Sequence, residues 1–449
     1  MQVITSRLSL LARQSRFTSS ISSLVLNNSR KPLSTAVEPG PLSHIRVLDL
    51  TRILAGPFAT QILGDLGADV IKVESTAGDD TRTWGPPFAP TVPDYVPAPD
   101  SHPNASKPES AYFLGINRNK RSITCNFKTA AGLQMIKDLA AVSDVFVENY
   151  IPGKLSEMGL GYEDIKKVNP KIIYASVTGY GPDGPYATRA GYDVMIEAEA
   201  GLMYITGEQD GPPVKVGVAI TDVCTGLYTH GAIMAALYGR EMTGEGQWIN
   251  ASLIETQVAG LANIGHSYLV GGKEATRWGT AHESVVPYQA FPTSNSYIVV
   301  GIGNDKQFRR LSEVFNRMDL ADSEDYGTNA GRVKNRKALI PILTKCFQTK
   351  TTEEWLGIFK KNNLPGTPVN NIEQTFSHPQ VIHREMIQTV YHPKAGNIKT
   401  VGIPVKYGDT KPSIRLPPPV LGQHTEEILK DVLGKSDKDI QNLRQEGAI

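Results

Sequence analysis

Two short apolar runs and the helix between them constrain this chain more than anything else in it. Ile45-Arg46-Val47-Leu48-Asp49-Leu50 has the length and composition of a buried strand, and Val70-Ile71-Lys72-Val73-Glu74 repeats the pattern. Between them Ala55-Gly56-Pro57 leads into a helix predicted over 58–66, with Phe58, Ile62, Leu63 and Leu66 apolar and Gly67 as its stop. Strand, helix, strand within about 30 residues is a βαβ unit, and strands joined this way are parallel. The turn after the first strand lacks GxGxxG, so the dinucleotide fingerprint is absent and an oxidoreductase reading has only the β/α pattern behind it.

The alternation continues. A helix is predicted over 130–141, strands over 122–127, 144–148 and 172–177, a short helix over 162–168 and another over 194–201. Polar and glycine-rich turns (79–87, 149–153, 179–185) collect after the strands, the end at which open parallel sheets bind ligands. The Pro- and Ser-rich stretch 88–110 has no periodicity and is expected to be a mobile surface insertion. Asn117-Arg118-Asn119-Lys120-Arg121 puts three cations in five residues beside a predicted strand. It is either a solvated face or a phosphate contact at the sheet edge.

At 449 residues the chain exceeds one typical core. The expected division is a large Rossmann-like α/β domain over 38–252, a linker helix from 253 to about 270 with a smaller α+β domain up to 398, and a segment over 399–449 returning to the large domain. The small domain is predicted from a strand at 297–301 and helices at 306–315, 337–347 and 352–361, the last capped by Thr352. A net charge of +1 gives no reason to expect nucleic acid or an acidic surface as partner. Cys125, Cys224 and Cys346 show no CxxC spacing and the nine histidines form no HxxxH pair, so no metal site is expected. No run of 18 apolar residues suggests a membrane span. Residues 1–37 carry Arg7, Arg13, Arg16, Arg30 and Lys31, are rich in Ser and have no acid before Glu38. This is a mitochondrial transit peptide pattern, and it points to the matrix.

Chemistry concentrates at Lys215-Val216-Gly217-Val218-Ala219-Ile220-Thr221-Asp222, where a β-prone run meets a helix rich in Ala, Gly and Leu. Asp222 reads either as the helix N-cap or as a carboxylate presented at a helix start as a nucleophile. A carboxylate is ionised at pH 7 unaided, since its reference pKa is about 3.9, and needs no base beside it.

Several ordered motifs then carry a family resemblance. Asp49-Leu-Thr-Arg-Ile-Leu-Ala-Gly-Pro57, Leu66-Gly-Ala-Asp-Val-Ile-Lys-Val-Glu74, Asn117-Arg-Asn-Lys-Arg-Ser122, Val147-Glu-Asn-Tyr-Ile-Pro-Gly153, Gly191-Tyr-Asp193 and Pro419-Val-Leu-Gly-Gln-His-Thr425 resemble the class III CoA-transferases, from about residue 42 to the C-terminus. Within that family, 77–87 and 277–291 are most similar to the branch that moves CoA from succinyl-CoA to dicarboxylates such as glutarate or hydroxymethylglutarate. The resemblance implies a ring-like subunit in an interlocked homodimer, a CoA thioester as substrate with no tightly bound cofactor, and Asp222 as catalytic nucleophile. Asp193 is left structural.

The family's CoA site carries over to Ile53 and Leu54 near the thioester, to Cys125, Asn126, Phe127 and Lys128, to Asn149, Tyr150 and Ile151, and to Arg189, Ala190, Gly191 and Tyr192. Two basic contacts of formyl-CoA transferase are replaced here by Ser75 and Glu157, which leaves Lys128, Arg189 and the cations at 118 and 121 for the phosphates. The family's glycine loop falls near Gly279 and His282 without its run of glycines. Arg52 and Arg277, with His282 as a polar contact, are candidates for the distal carboxylate of a diacid. The α-methylacyl-CoA racemases share the motifs but have a His where Tyr192 stands, and a Tyr with pKa near 10 is a poor acid–base partner. A non-catalytic acyl-CoA binding protein is the remaining alternative.

Overall fold

The computed structural model describes residues 40–97 and 103–449; the transit peptide expected over 1–37 lies outside the described residues, as does the middle of the 88–110 stretch. Six strands form the main sheet: β1 (Arg46–Asp49), β2 (Asp69–Glu74), β3 (Lys120–Thr124), β4 (Val145–Glu148), β5 (Ile173–Thr178) and β6 (Gln247–Ser252). Their order is β3-β2-β1-β4-β5-β6, and every neighbouring pair is parallel. The parallel α/β class expected from the βαβ unit is therefore the class observed.

Both faces of the sheet are covered, which is why its strands read as near-continuous apolar runs. Alternate residues serve alternate cores. Leu48, Ile71, Phe146 and Tyr174 pack with Met135, Ile136 and Leu139 on one face. Val47, Val70, Val145 and Ile173 pack with Leu63, Ile233 and Leu237 on the other. The C-terminal residues Ile428, Leu429 and Ile440 bury in the first of these cores.

A second, antiparallel sheet is built from β7 (Tyr288–Pro292), β8 (Tyr297–Gly301) and β9 (Gly366–Pro368). Its core, from Val286 through Phe308, Phe347 and Trp355 to Leu364, draws only on this part of the sequence. The helix at 352–361 is capped by Thr351 and not by Thr352, and Glu354 completes a capping box. The long helix expected after 253 is two, Leu253–Gly260 and Ala262–Gly271, broken where Ala262 takes φ 45°.

The stretch 88–110 is tied down in part. Phe88 bridges Ser110, and the Lys394 ammonium, buried, donates to the carbonyls of Ala105 and Lys107 and pairs with Glu109.

Candidate active site

Strand order reverses between β1 and β4, so the chains leaving their carboxyl ends diverge and open a crevice. Three loops wall it. The first follows β1, where Ile53 is held at φ 71°, a conformation that a β-branched residue seldom adopts. Buried charge holds it there. The Lys72 ammonium donates to the Thr51 carbonyl (2.8 Å) and to Asp79 Oδ2 (2.9 Å), and Asp79 Oδ1 accepts from the Ile53 amide (3.3 Å). Asp49 accepts from the Thr51 amide and, with its other oxygen, from Lys120 (3.0 Å). Although burial works against its ionisation, Lys120 and Lys72 hold the Asp49 carboxyl down at about 2.

The second loop follows β4. Asn149 clamps it to the first: its Oδ1 accepts from the Arg52 amide (3.0 Å) and its Nδ2 donates to the Arg52 carbonyl (2.7 Å). Glu148 turns the loop by accepting from the Tyr150 amide (2.8 Å), and burial pushes its carboxyl up to about 7. The third loop follows β5 and crosses residues 188–192 where Gly179 meets Gly191. A Cβ on Gly179 would lie 2.6 Å from the Gly191 Cα, so the crossing requires glycine.

Asp222 enters this crevice from the helix Ile220–Thr243, as its third residue. Of the two readings of Asp222, the N-cap is not what the structure shows. The cap position is Ala219, which offers no side chain, and the amides of Thr221 (2.8 Å) and Asp222 (3.2 Å) instead donate to Asp193 Oδ1. Residues 215–219 form no strand. The helix lies against the start of the helix Ala55–Asp65, where a Cβ on Gly226 would come within 2.7 Å of the Ala55 carbonyl. The half-buried Asp222 carboxyl lines the same crevice as Ala55, in the first turn of a second helix that no side chain caps.

Burial first, and the neighbouring Asp193 second, push the Asp222 carboxyl up to about 7. The Asp222 carboxyl is thus only partly ionised at neutral pH, where its residue type alone suggests full ionisation. A raised folded-state pKa means that the carboxylate is present above pH 7 and is lost as pH falls below it. For a reaction in which this carboxylate attacks, kcat/KM is expected to be flat above pH 8 and to fall tenfold per unit below an apparent pKa near 7. A flat profile down to pH 5, measured in a constant-ionic-strength buffer series, would refute this.

The crevice has a volume of about 550 Å³. It brings together Arg52, Ile53, Leu54, Asn149, Tyr150, Ile151, Arg189, Ala190, Gly191, Tyr192 and Asp222, all named from the sequence. Cys125, Asn126, Phe127 and Lys128 do not line it. Cys125 is buried in the sheet core, where burial pushes its thiol up to about 12. Asn126 anchors the C-terminus through the carbonyls of Gly447 and Ala448, Phe127 packs against Tyr150 (6.2 Å between rings), and Lys128 is exposed. Arg277, Gly279 and His282 also lie outside the lining. Arg277 donates to the Tyr204 carbonyl (2.9 Å), Gly279 to that of Gly207 (2.8 Å) and His282 to that of Tyr288 (2.9 Å).

The basic cluster at 117–121 corrects an expectation. Arg118 pairs with Asp65 (2.7 Å), Lys120 with Asp49 (3.0 Å) and Arg121 with Asp69 (2.7 Å), all buried, so these cations are committed to the fold and not to phosphates. Two lining or flanking groups were not found from the sequence. Lys154 lines the crevice, paired with Glu157 (2.8 Å). Tyr112 faces Asp222: burial, then the charges of Asp222 and Asp193, push its hydroxyl up to about 12. Neither stands in a motif: Lys154 follows the one at 147–153, and Tyr112 lies past the 88–110 stretch on the short helix Ala111–Ile116.

The parallel α/β sheet thus opens at its switch point into a crevice that holds a half-buried carboxyl at a helix start. The chain belongs to CoA-transferase family III, whose sequence profile matches residues 42–425. It is 51% identical over 420 residues to succinyl-CoA:glutarate CoA-transferase of Homo sapiens, covering 93% of this chain and 92% of that one. It is 39% identical to succinate–glutarate CoA-transferase of Agrobacterium fabrum, covering 87% and 96% respectively. Among solved structures, a CaiB/BaiF family protein from Brucella suis superposes with a TM-score of 0.80 at 40% identity, covering 88% of this chain and all of that one.

Proposed function

We propose that this enzyme moves CoA from succinyl-CoA to glutarate or a related dicarboxylate, with Asp222 as the nucleophile. The observation that carries the reading is the Asp222 carboxyl in the switch-point crevice, next to the uncapped first turn at Ala55. The names of its relatives from Homo sapiens and Agrobacterium fabrum support the substrate pair.

The Asp222 carboxylate attacks the thioester carbonyl, and amides at the start of the Ala55–Asp65 helix face the developing oxyanion. Such donors contribute roughly 2.7–4 kcal/mol each. Cleavage of the C–S bond leaves an aspartyl–succinyl anhydride and CoA thiolate. The thiolate attacks the aspartyl carbonyl, giving an aspartyl-CoA thioester and free succinate. The acceptor carboxylate then runs the two steps in reverse. An acyl-aspartate keeps the activation of the thioester, which a serine ester would dissipate. Water has to be excluded throughout.

The CoA chain runs along Asn149, Tyr150 and Ile151, with Arg189 and Lys154 as the cations nearest its phosphates. Arg52 offers its guanidinium to the distal carboxylate of the diacid: it lines the crevice, is half-exposed over the Tyr150 ring and, among the described residues, is paired only with the equally exposed Asp80 (2.9 Å). Tyr192 in the crevice, with its hydroxyl in place of an imidazole, favours transfer over racemisation.

The working form is a homodimer, interlocked as in the family. Its support in this chain is apolar surface. Leu227, Tyr228, Tyr238 and Met242 of the Asp222 helix are exposed, and the helix Ala262–Gly271 buries none of its residues although it carries Tyr268, Leu269 and Val270. The domain division at 252 and 398, and delivery to the mitochondrial matrix by residues 1–37, belong to the same reading.

The test is an exchange assay by mass spectrometry, with succinyl-CoA and a panel of free mono- and dicarboxylates. New acyl-CoA forming in step with released succinate is expected for C5 diacids. Arg52→Ala should lower kcat/KM for diacids roughly tenfold more than for monocarboxylates, the scale of one charge-assisted contact. Equal losses for both classes would remove Arg52 from diacid recognition, and exchange of the α-hydrogen without CoA transfer would favour the racemase.

A further inference from the structure

Behind Asp193 lies a carboxyl that the reaction above does not use. Glu197 follows Asp193 by one turn on the helix Asp193–Glu199 and is fully buried, at 0% exposure. Its Oε2 accepts from the Val216 amide (3.0 Å), while Oε1 is enclosed and receives no hydrogen bond. No ion pair among the described residues involves it. Lys215, the cation that acts on it, is exposed and donates its ammonium to the Val216 carbonyl.

An enclosed, ionised carboxylate with one amide donor and a second carboxylate for a neighbour is an expensive arrangement. A neutral carboxyl in the same place is not, because it brings an O–H donor and the neighbour is an acceptor. Asp193 has that capacity: its Oδ1 accepts from the Thr221 and Asp222 amides, which leaves Oδ2 for a proton donor. Burial, together with the Asp193 carboxylate, holds the Glu197 carboxyl above the usual carboxylate range. The other titratable groups facing this cluster are Tyr112, which feels Asp222, Asp193 and Asp79, and Cys224, whose thiol burial and Asp193 push up.

We propose that Glu197 stays neutral at the pH of catalysis and donates its proton to Asp193, so that the two carboxyls form a singly charged brace that fixes the Thr221 and Asp222 amides and positions the Asp222 carboxylate. Glu197 is a positioning residue: its proton is not consumed, and it touches no substrate. Its hydrogen bond draws the Asp193 charge away from the nucleophile, which keeps the Asp222 carboxylate accessible near neutral pH. The inference rests on Asp222 being the nucleophile.

The experiment compares wild type, Glu197→Gln, Glu197→Ala and Asp222→Ala as full chains. At pH 8 the infrared spectrum of wild type should contain a protonated-carboxyl C=O band that is missing from Glu197→Gln. Glu197→Gln keeps a donor to Asp193, so its kcat and the midpoint of its acid limb should match wild type. Glu197→Ala removes the donor, and its acid limb should move up by about one pH unit with kcat falling roughly tenfold and KM for succinyl-CoA unchanged. No band lost in Glu197→Gln, a midpoint moved to lower pH in Glu197→Gln, or an unmoved midpoint in Glu197→Ala would overturn the proposal. Glu197→Gln is isosteric and decides the matter alone if Glu197→Ala does not fold. Wild-type exchange that persists in Asp222→Ala would overturn the nucleophile reading itself, which the Glu197 outcomes do not touch.

Discussion

Asp222→Ala is expected to abolish CoA exchange, with a loss on the order of 10⁴-fold or more, the scale seen when a covalent nucleophile is deleted. It is also expected to make the protein more stable at pH 8. Both follow from the same geometry. The carboxyl stands on the first turn of its helix without capping it, because Asp193 receives the amides of Thr221 and Asp222. Among the described residues no hydrogen bond to its own oxygens is lost on truncation. What truncation removes is a carboxylate that burial and Asp193 make costly to ionise. A group whose folded pKa lies above its unfolded value of about 3.9 destabilises progressively as pH rises from the unfolded to the folded pKa. The relief should therefore be absent at pH 4 and complete above pH 8, at about 1–2 kcal/mol once the screening of a half-buried group is allowed for. Urea unfolding of both proteins at the two pH values measures it. A mutant less stable than wild type at pH 8 would mean that Asp222 is there for the fold. Residual exchange above a percent of wild type would mean that another group attacks the thioester.

The sheet and the crevice were legible in the sequence because both are written locally. The runs at 45–50 and 70–74, the helix between them and the polar turns behind each strand gave a parallel sheet with its ligand end identified. What was misread depended on partners far away in the chain. The start of the Asp222 helix was placed too late because its cap comes from Asp193, 28 and 29 residues earlier, and no pattern at 215–222 announces it. The cations at 118, 120 and 121 looked like surface charge or phosphate contacts. Their acids, Asp65, Asp49 and Asp69, lie 53, 71 and 52 residues back and reach them only through packing of the sheet. Lys120 and Arg121 belong to β3 itself, a strand expected to begin two residues later. Glu197 gave no signal at all, since an acid on a short helix is ordinary until its burial is known.

Lys72→Met should be the most damaging change outside the crevice, and it ties the fold to the site. The Lys72 ammonium is wholly buried. Burial opposes its charge, but Asp79, Asp49 and Glu74 outweigh burial and raise its pKa. Removing the cation leaves Asp79 charged and enclosed without its ion-pair partner, and breaking a buried pair from one side costs about 3–5 kcal/mol. The same ammonium fixes the Thr51 carbonyl, and its partner Asp79 accepts from the Ile53 amide. Ile53 persists at φ 71° because these contacts determine it, against a cost of roughly 1–3 kcal/mol for a strained residue. Losing them frees the loop to relax toward an ordinary backbone and carries Arg52, Leu54 and the first turn at Ala55 away from Asp222. The double mutant Lys72→Met, Asp79→Asn separates the two effects. Neutralising Asp79 should restore most of the lost stability, because the unpaired charge is gone. It should not restore exchange, because the ammonium that held Thr51 is still missing. Recovery of both together in a double-mutant cycle would show that the pair serves stability alone and that Ile53 is held by the Asn149 clamp without it.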